Sequence, residues 1–160
     1  MANQFRHWHH QAPLYPNIFR LFVRLLFLLS ALGVMTACTS LPVSPYDSTT
    51  DKAITRLHKQ TAEFFVGVVQ AEGCEYDRHL GFYHTSKVSL SGLTVRAKAV
   101  AYNDIAVEQL ALLVKSFDDL ADLHELGCFS SAQVDDLWAA FDLSFSAILK
   151  LELAKKYGRW

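Results

Sequence analysis

The stretch DIAVEQLALLVKSFDDLADLHEL, Asp104 to Leu126, decides the fold. Val107, Leu110, Leu113, Val114, Phe117, Leu120 and Leu123 recur every three or four residues, the rhythm of one helix face. No proline or glycine interrupts the run. Asn103 or Asp104 stands in place to cap its start. Gly127 stops it, because glycine accepts the left-handed turn that closes a helix. A helix with so continuous an apolar stripe must bury it against other elements. The chain on either side therefore has to supply them.

Downstream, Ser130 and Gln133 have the spacing of a capping box. Val134, Leu137, Trp138, Phe141, Phe145, Ile148 and Leu149 continue as a second amphipathic face. Asp135 and Asp136 sit near its start and Lys155, Lys156 and Arg159 near its end, as the helix dipole favours. Upstream, Asp51 to Gln70 carries Ile54, Leu57, Thr61, Phe64, Phe65 and Val68 on one face. Thr50 is the expected N-cap, and Gly73 the expected turn beyond the helix end.

The segment from Tyr76 to Ala101 is less regular. Tyr76, Leu80, Tyr83 and Lys87 share a helical stripe, yet Val88-Ser89-Leu90-Ser91 alternates with the period of a strand. Gly92 costs a helix about 1 kcal/mol relative to alanine. A lone strand without a partner is not stable, so a helix is expected. The result is an all-α domain over 50–160, an antiparallel up-and-down bundle of four helices, each roughly 30–40 Å long.

The cysteines give an independent check. Cys74 falls between the first and second helices and Cys128 between the third and fourth. In an up-down-up-down bundle these loops meet at one end. A Cys74–Cys128 disulfide is expected there, with two free buried thiols as the alternative. Closing a loop of this size is worth roughly 4 kcal/mol by chain entropy.

The N-terminus reads differently. Arg6, Arg20 and Arg24 precede an apolar run from Leu25 to Val34, and no acidic residue occurs before Asp47. Met35-Thr36-Ala37-Cys38 follows at once. This tetrad resembles the bacterial lipobox, in which the cysteine is acylated and becomes the new N-terminus. Residues 1–37 are expected to be a lipoprotein-type signal peptide and Cys38 the lipidated residue. The competing readings are secretion with cleavage after Gly33, and an uncleaved anchor. The apolar run is short of the roughly 20 residues a spanning helix needs, and extending it takes in Arg24 and Arg20. Residues 38–49, with Pro42, Pro45 and several serines and threonines, read as a flexible tether.

Removing the leader takes away three basic residues and leaves 12 basic and 16 acidic ones, a net charge of −4. With no basic footprint, nucleic acid is not an expected partner. The Lys150, Lys155 and Lys156 cluster reads as a solvated face.

Few residues suggest chemistry. Glu75, His79, Tyr83 and His84 form the one polar cluster, and Glu75 and His79 at i,i+4 offer two metal ligands on one face. A third is not evident, whereas a catalytic zinc normally takes three protein ligands. The mature chain has no methionine, and His58, His79, His84 and His124 have no spacing that pairs them across a haem. No Gly-x-Ser-x-Gly, HExxH or phosphate-binding glycine loop occurs. No metal, cofactor or catalytic residue is expected, and the histidines are read as structural or exposed.

Glu75-Tyr76-Asp77-Arg78-His79, Phe82-Tyr83 and the tail from Phe145 to Lys156 resemble a family of small helical bacterial lipoproteins that is itself uncharacterised. The likeness covers most of the mature domain and is most specific in the tail. It implies a cell-envelope lipoprotein and supplies no catalytic residues. The expected location is the bacterial envelope, lipid-anchored and facing the periplasm. Thr39, where some inner-membrane lipoproteins carry Asp, leans this towards the outer membrane. The expected role is a non-catalytic protein that binds an envelope partner. A small-ligand or lipid-binding bundle is the alternative, and an enzyme built on the polar cluster comes third. A filled core with an exposed apolar patch favours the first, an internal apolar cavity the second, and a pocket lined by the cluster the third.

Overall fold

The computed structural model describes residues 20–26, 43–69 and 73–158. They fall in two compact units, Met1–Leu41 and Pro42–Trp160. In the first, residues 20–26 are helical, with Leu21, Phe22 and Leu26 exposed. The rest of the expected signal peptide, Cys38 and the expected tether as far as residue 42 lie outside the described residues. No helix among the described residues is long and apolar enough to cross a membrane.

The second unit is all-helical. Its elements are α1 (Ser48–Val68), a single 3-10 turn (Tyr76–His79), α2 (Leu80–Lys98), α3 (Asp104–Glu125) and α4 (Ser131–Tyr157). Five helical segments stand where four were expected, the extra one being the 3-10 turn. α1 and α3 each pack against α2 and α4. Among the described residues no Cα of α1 comes within 8 Å of α3, nor of α2 within 8 Å of α4. That cyclic adjacency is the square arrangement of an up-and-down bundle. The Cys74–Cys128 disulfide forms as expected, with the two Cα atoms 5.3 Å apart. Gly73 and Gly127, beside these cysteines, have φ of +118° and +150°, values that only glycine takes without strain.

The core is filled. Ile54, Leu57, Leu110, Leu113, Phe145 and Ile148 are wholly buried at its centre. Phe117 meets Phe141 edge to face with centroids 4.9 Å apart. The expected capping box closes on both sides: Gln133 N donates to Ser130 Oγ and Ser130 N to Gln133 Oε1.

Several expectations need correction. The cap of α1 is Asp47, not Thr50. Asp47 Oδ1 accepts from Thr49 N at 2.9 Å and Oδ2 from Thr50 Oγ1 at 2.8 Å. The helix thus starts inside the segment read as a tether. That segment is fixed further back still, since Ser44 is buried and its N–H donates to the Tyr102 carbonyl. α2 begins at Leu80 and ends at Lys98, inside the expected bounds. Its buried face is Ser86, Leu90, Leu93 and Ala97, and Leu80 is 49% exposed. In α3, Leu123 is 39% exposed and His124 takes the buried position.

Lys155 is the sharpest correction, because it is buried rather than solvated. The buried face of α4 runs on past Ile148 to Glu152 and Lys155. Lys155 Nζ donates to Glu152 Oε1 at 2.6 Å and to Asn103 Oδ1 at 2.7 Å. Ser44 Oγ donates to the same Asn103 oxygen, and Asn103 Nδ2 donates to the Ala97 carbonyl. Glu152 Oε2 accepts from Asp47 N. Asp47 also pairs with the Arg96 guanidinium, which holds its carboxyl well below the usual carboxylate range. Asn103 stands at the start of α3, but its side chain serves this network and makes no cap. One end of the bundle is therefore locked by charge and hydrogen bonds to the segment that leads towards Cys38.

Candidate functional site

The other end carries the residues singled out in sequence, and the structure divides them. Tyr83 and His79 turn inward from α2 and the 3-10 turn. His84 is exposed, and Glu75 pairs outward with Arg78 at 3.2 Å. The four do not assemble around one point.

What Tyr83 meets is His124, one of the histidines whose expected place is structural or exposed. Tyr83 Oη lies 2.8 Å from His124 Nδ1, and His124 Nε2 lies 2.6 Å from the Cys74 carbonyl. A carbonyl oxygen only accepts, so Nε2 carries the proton. Nδ1 of the neutral ring then accepts from the Tyr83 hydroxyl. Burial keeps the ring neutral by pushing its pKa below the ordinary value. The Cys74 carbonyl partly opposes that shift, and neighbouring His79 adds to it. Burial also pushes the Tyr83 phenol far above its ordinary range. Both nitrogens of His124 are thus committed, leaving no free lone pair for a base or a metal. His79 repeats the device, its Nε2 donating to the Gly73 carbonyl at 2.7 Å. The two imidazoles fasten the disulfide loop to the bundle.

Aromatic rings close round them. Phe64 stacks on Phe82 with centroids 4.1 Å apart, and Phe129 stacks on His124 at 4.7 Å. His58 is held elsewhere, between α1 and α4: its Nε2 is 2.9 Å from Asp142 Oδ1 and its ring stacks on Trp138. His58 and His124 are not brought together. Among the described residues, no group of three or more His, Cys, Asp or Glu side chains is placed to hold a metal ion.

Beside the aromatic cluster an open groove of about 780 Å³ runs between α2 and α3. Leu90 and Phe117, both buried, form its floor, so it is continuous with the core. Leu80, Val95, Ala111, Val114 and Ala121 line it, and Tyr76 and Tyr83 stand at the disulfide end. The stripe Tyr76, Leu80, Tyr83 and Lys87 lines this groove. α2 is thus apolar on two sides, one inward and one towards the groove. His84 joins the lining, so the cluster residues Tyr83 and His84 reach the groove whereas Glu75 and His79 do not.

One exposed pair, Lys87 Nζ to Asp118 Oδ1 at 3.7 Å, spans the groove. Such a pair is worth no more than about 1 kcal/mol and does not close the groove. Burial raises the pKa of the Tyr76 phenol, and the nearby Glu125, Asp122 and Asp77 carboxylates raise it further. Asp77 and Glu125 line a separate hollow that shares Tyr76 with the disulfide end of the groove. No ion pair to Asp77, Asp122 or Glu125 occurs among the described residues.

His124 and the groove were the features that sequence reasoning missed. A signal for His124 existed: the spacing Leu113, Phe117, Leu120 continues to position 124, not 123. No family model, curated protein or solved structure matches the chain.

Proposed function

We propose that this chain is a lipid-anchored protein of the bacterial cell envelope that holds a partner protein in the groove between α2 and α3. The observation that carries the reading is a solvent-open apolar groove over the apolar core. A concave, mostly apolar cleft of that volume with a few polar groups at its edge is the usual form of a binding site. The committed nitrogens of His124 and the dispersal of Glu75, His79, Tyr83 and His84 support binding rather than catalysis. The anchor itself rests on Met35-Thr36-Ala37-Cys38 and the apolar run before it. Ser44 is six residues beyond Cys38, so a lipid there would keep the polar end of the bundle within about 20 Å of the bilayer surface. The volume of the groove also lies within the range of small-molecule sites, which keeps a small hydrophobic ligand as the second reading.

Two measurements test the proposal. Labelled fatty acid should enter the protein and be lost in Cys38→Ser, which should accumulate as the unprocessed precursor. Label that persists in Cys38→Ser refutes the anchor. A photo-crosslinking residue should then be placed at Ala111 in the groove, and in a second protein at Leu143, an exposed apolar position on α4. In native membranes Ala111 should give one discrete envelope-protein adduct and Leu143 none. Equal adducts from both positions contradict the groove as the binding surface.

A further inference from the structure

We infer that the occupant of the groove is a basic amphipathic helix of about four turns, bound with its cationic end against Asp77, Asp122 and Glu125. The inference rests on the groove-binding reading above and names the partner's chemistry.

Length is the first argument. Along α2 the groove lining extends from Leu80 to Val95, and along the antiparallel α3 from Ala121 to Ala111. At 1.5 Å per residue the trough is roughly 15–22 Å long. That span matches three to four helical turns, enough for anchors at i, i+3 or i+4, and i+7. The cross-section is the second argument. Two packed helices lie about 8–10 Å apart, and the furrow between them accepts one row of side chains from a third. Ala111, Ala121, Ser91 and Thr94 keep the walls low, and Leu90 and Phe117 offer a firm apolar floor.

Charge decides the rest. In the middle of the groove Lys87 and Asp118 neutralise each other. At the Val95 end, Arg96 is spent on Asp47. At the disulfide end Asp77 and Glu125 line a hollow together with Tyr76, Asp122 stands one turn before Glu125 on α3, and none of the three has an ion-pair partner among the described residues. Glu75, also at this end, already has Arg78. An uncharged or acidic occupant leaves these carboxylates uncompensated, whereas Lys or Arg at one end of a helix meets them. Complementary rim charge of this kind sets orientation and encounter rate more than it sets total affinity.

The test uses three fluorescent probes with the intact folded domain. They are an 18-residue leucine–lysine amphipathic peptide, its leucine–glutamate counterpart, and a long-chain fatty acid. The leucine–lysine peptide should bind, and binding should be lost in Ala111→Trp, where the new ring fills the trough from an exposed position. In Asp122→Asn/Glu125→Gln it should weaken by about two- to tenfold, the scale of two rim pairs. Circular dichroism of each variant confirms folding. If the leucine–glutamate peptide binds as tightly, and still depends on Ala111, the groove reading stands and the basic partner is refuted. If only the fatty acid binds, the partner is a small amphiphile and the inference fails. Binding of the basic peptide that survives Ala111→Trp refutes the site, and failure of all three probes to bind refutes both the inference and the reading beneath it.

Discussion

The two ends of this bundle are held by different physics. At the end near the N-terminal segment, Lys155, Glu152, Asn103 and Ser44 form a buried hydrogen-bonded network around one ion pair. At the other end a disulfide, two hydrogen-bonded imidazoles and stacked rings serve the same purpose. The first kind of closure demands that every partner be present, because a buried charge stripped of its partner is costly. The second is covalent and apolar, and it tolerates the loss of a single polar contact better. The contrast matters for function, since the polar end leads to Cys38 while the disulfide end borders the groove.

The largest effect should come from breaking the polar end. Lys155→Ala leaves Glu152 buried without its cation, and should cost about 3–5 kcal/mol in urea unfolding. The double variant Lys155→Met/Glu152→Leu should recover most of that loss, because it removes both charges. If Lys155→Ala proves as mild as a surface substitution, the network is not what holds this end.

At the opposite end, breaking the disulfide should cost about 4 kcal/mol for a 54-residue separation. Thermal melts of the oxidised protein and of Cys74→Ser/Cys128→Ser measure it. That is a large share of the 5–15 kcal/mol typical of a domain, so a clear fall in Tm is expected. Smaller again is Tyr83→Phe, which takes the donor from His124 Nδ1 and leaves a buried acceptor unpaired. About 1–3 kcal/mol should be lost, without a change in fold by circular dichroism.

Acid should separate the ends. His124 has a folded-state pKa below its unfolded value of about 6.5. Its contribution is complete above that value and is lost as the pH falls through the folded pKa. Asp47 is also depressed, so its contribution is complete above about 4 and is lost only below that. Lowering the pH from 7.5 to 5 should therefore loosen the disulfide end while Asp47 still holds α1 and Arg96. Tm followed over that range in the parent and in Tyr83→Phe checks the sign: stability should fall with acid, and a rise would show that His124 is stabilised by protonation.

Much of this architecture was legible in sequence. The stripes of α1, α3 and α4, the capping box at Ser130 and the Cys74–Cys128 pairing follow from local rules that tertiary context did not override. The polar lock was harder to read. Its signal is that the buried stripe of α4 continues beyond Ile148 to Glu152 and Lys155, but charged residues are ordinarily solvated, and only the fold supplies Asn103 from a distant turn. The same holds for α2. Its apolar residues serve two faces, and periodicity alone could not say which face meets the core and which the groove. Of the cluster Glu75, His79, Tyr83 and His84, the spacing placed two residues usefully in the fold but gave no sign of His124, because that contact joins α2 to α3.

Hydrogen exchange on the intact domain, with and without reductant, tests the central contrast most directly. Reduction should raise exchange in residues 73–80 and around Gly127 while amides near Ser44, Asn103 and Glu152 keep their protection. Equal loss of protection at both ends would contradict the claim that they are held independently.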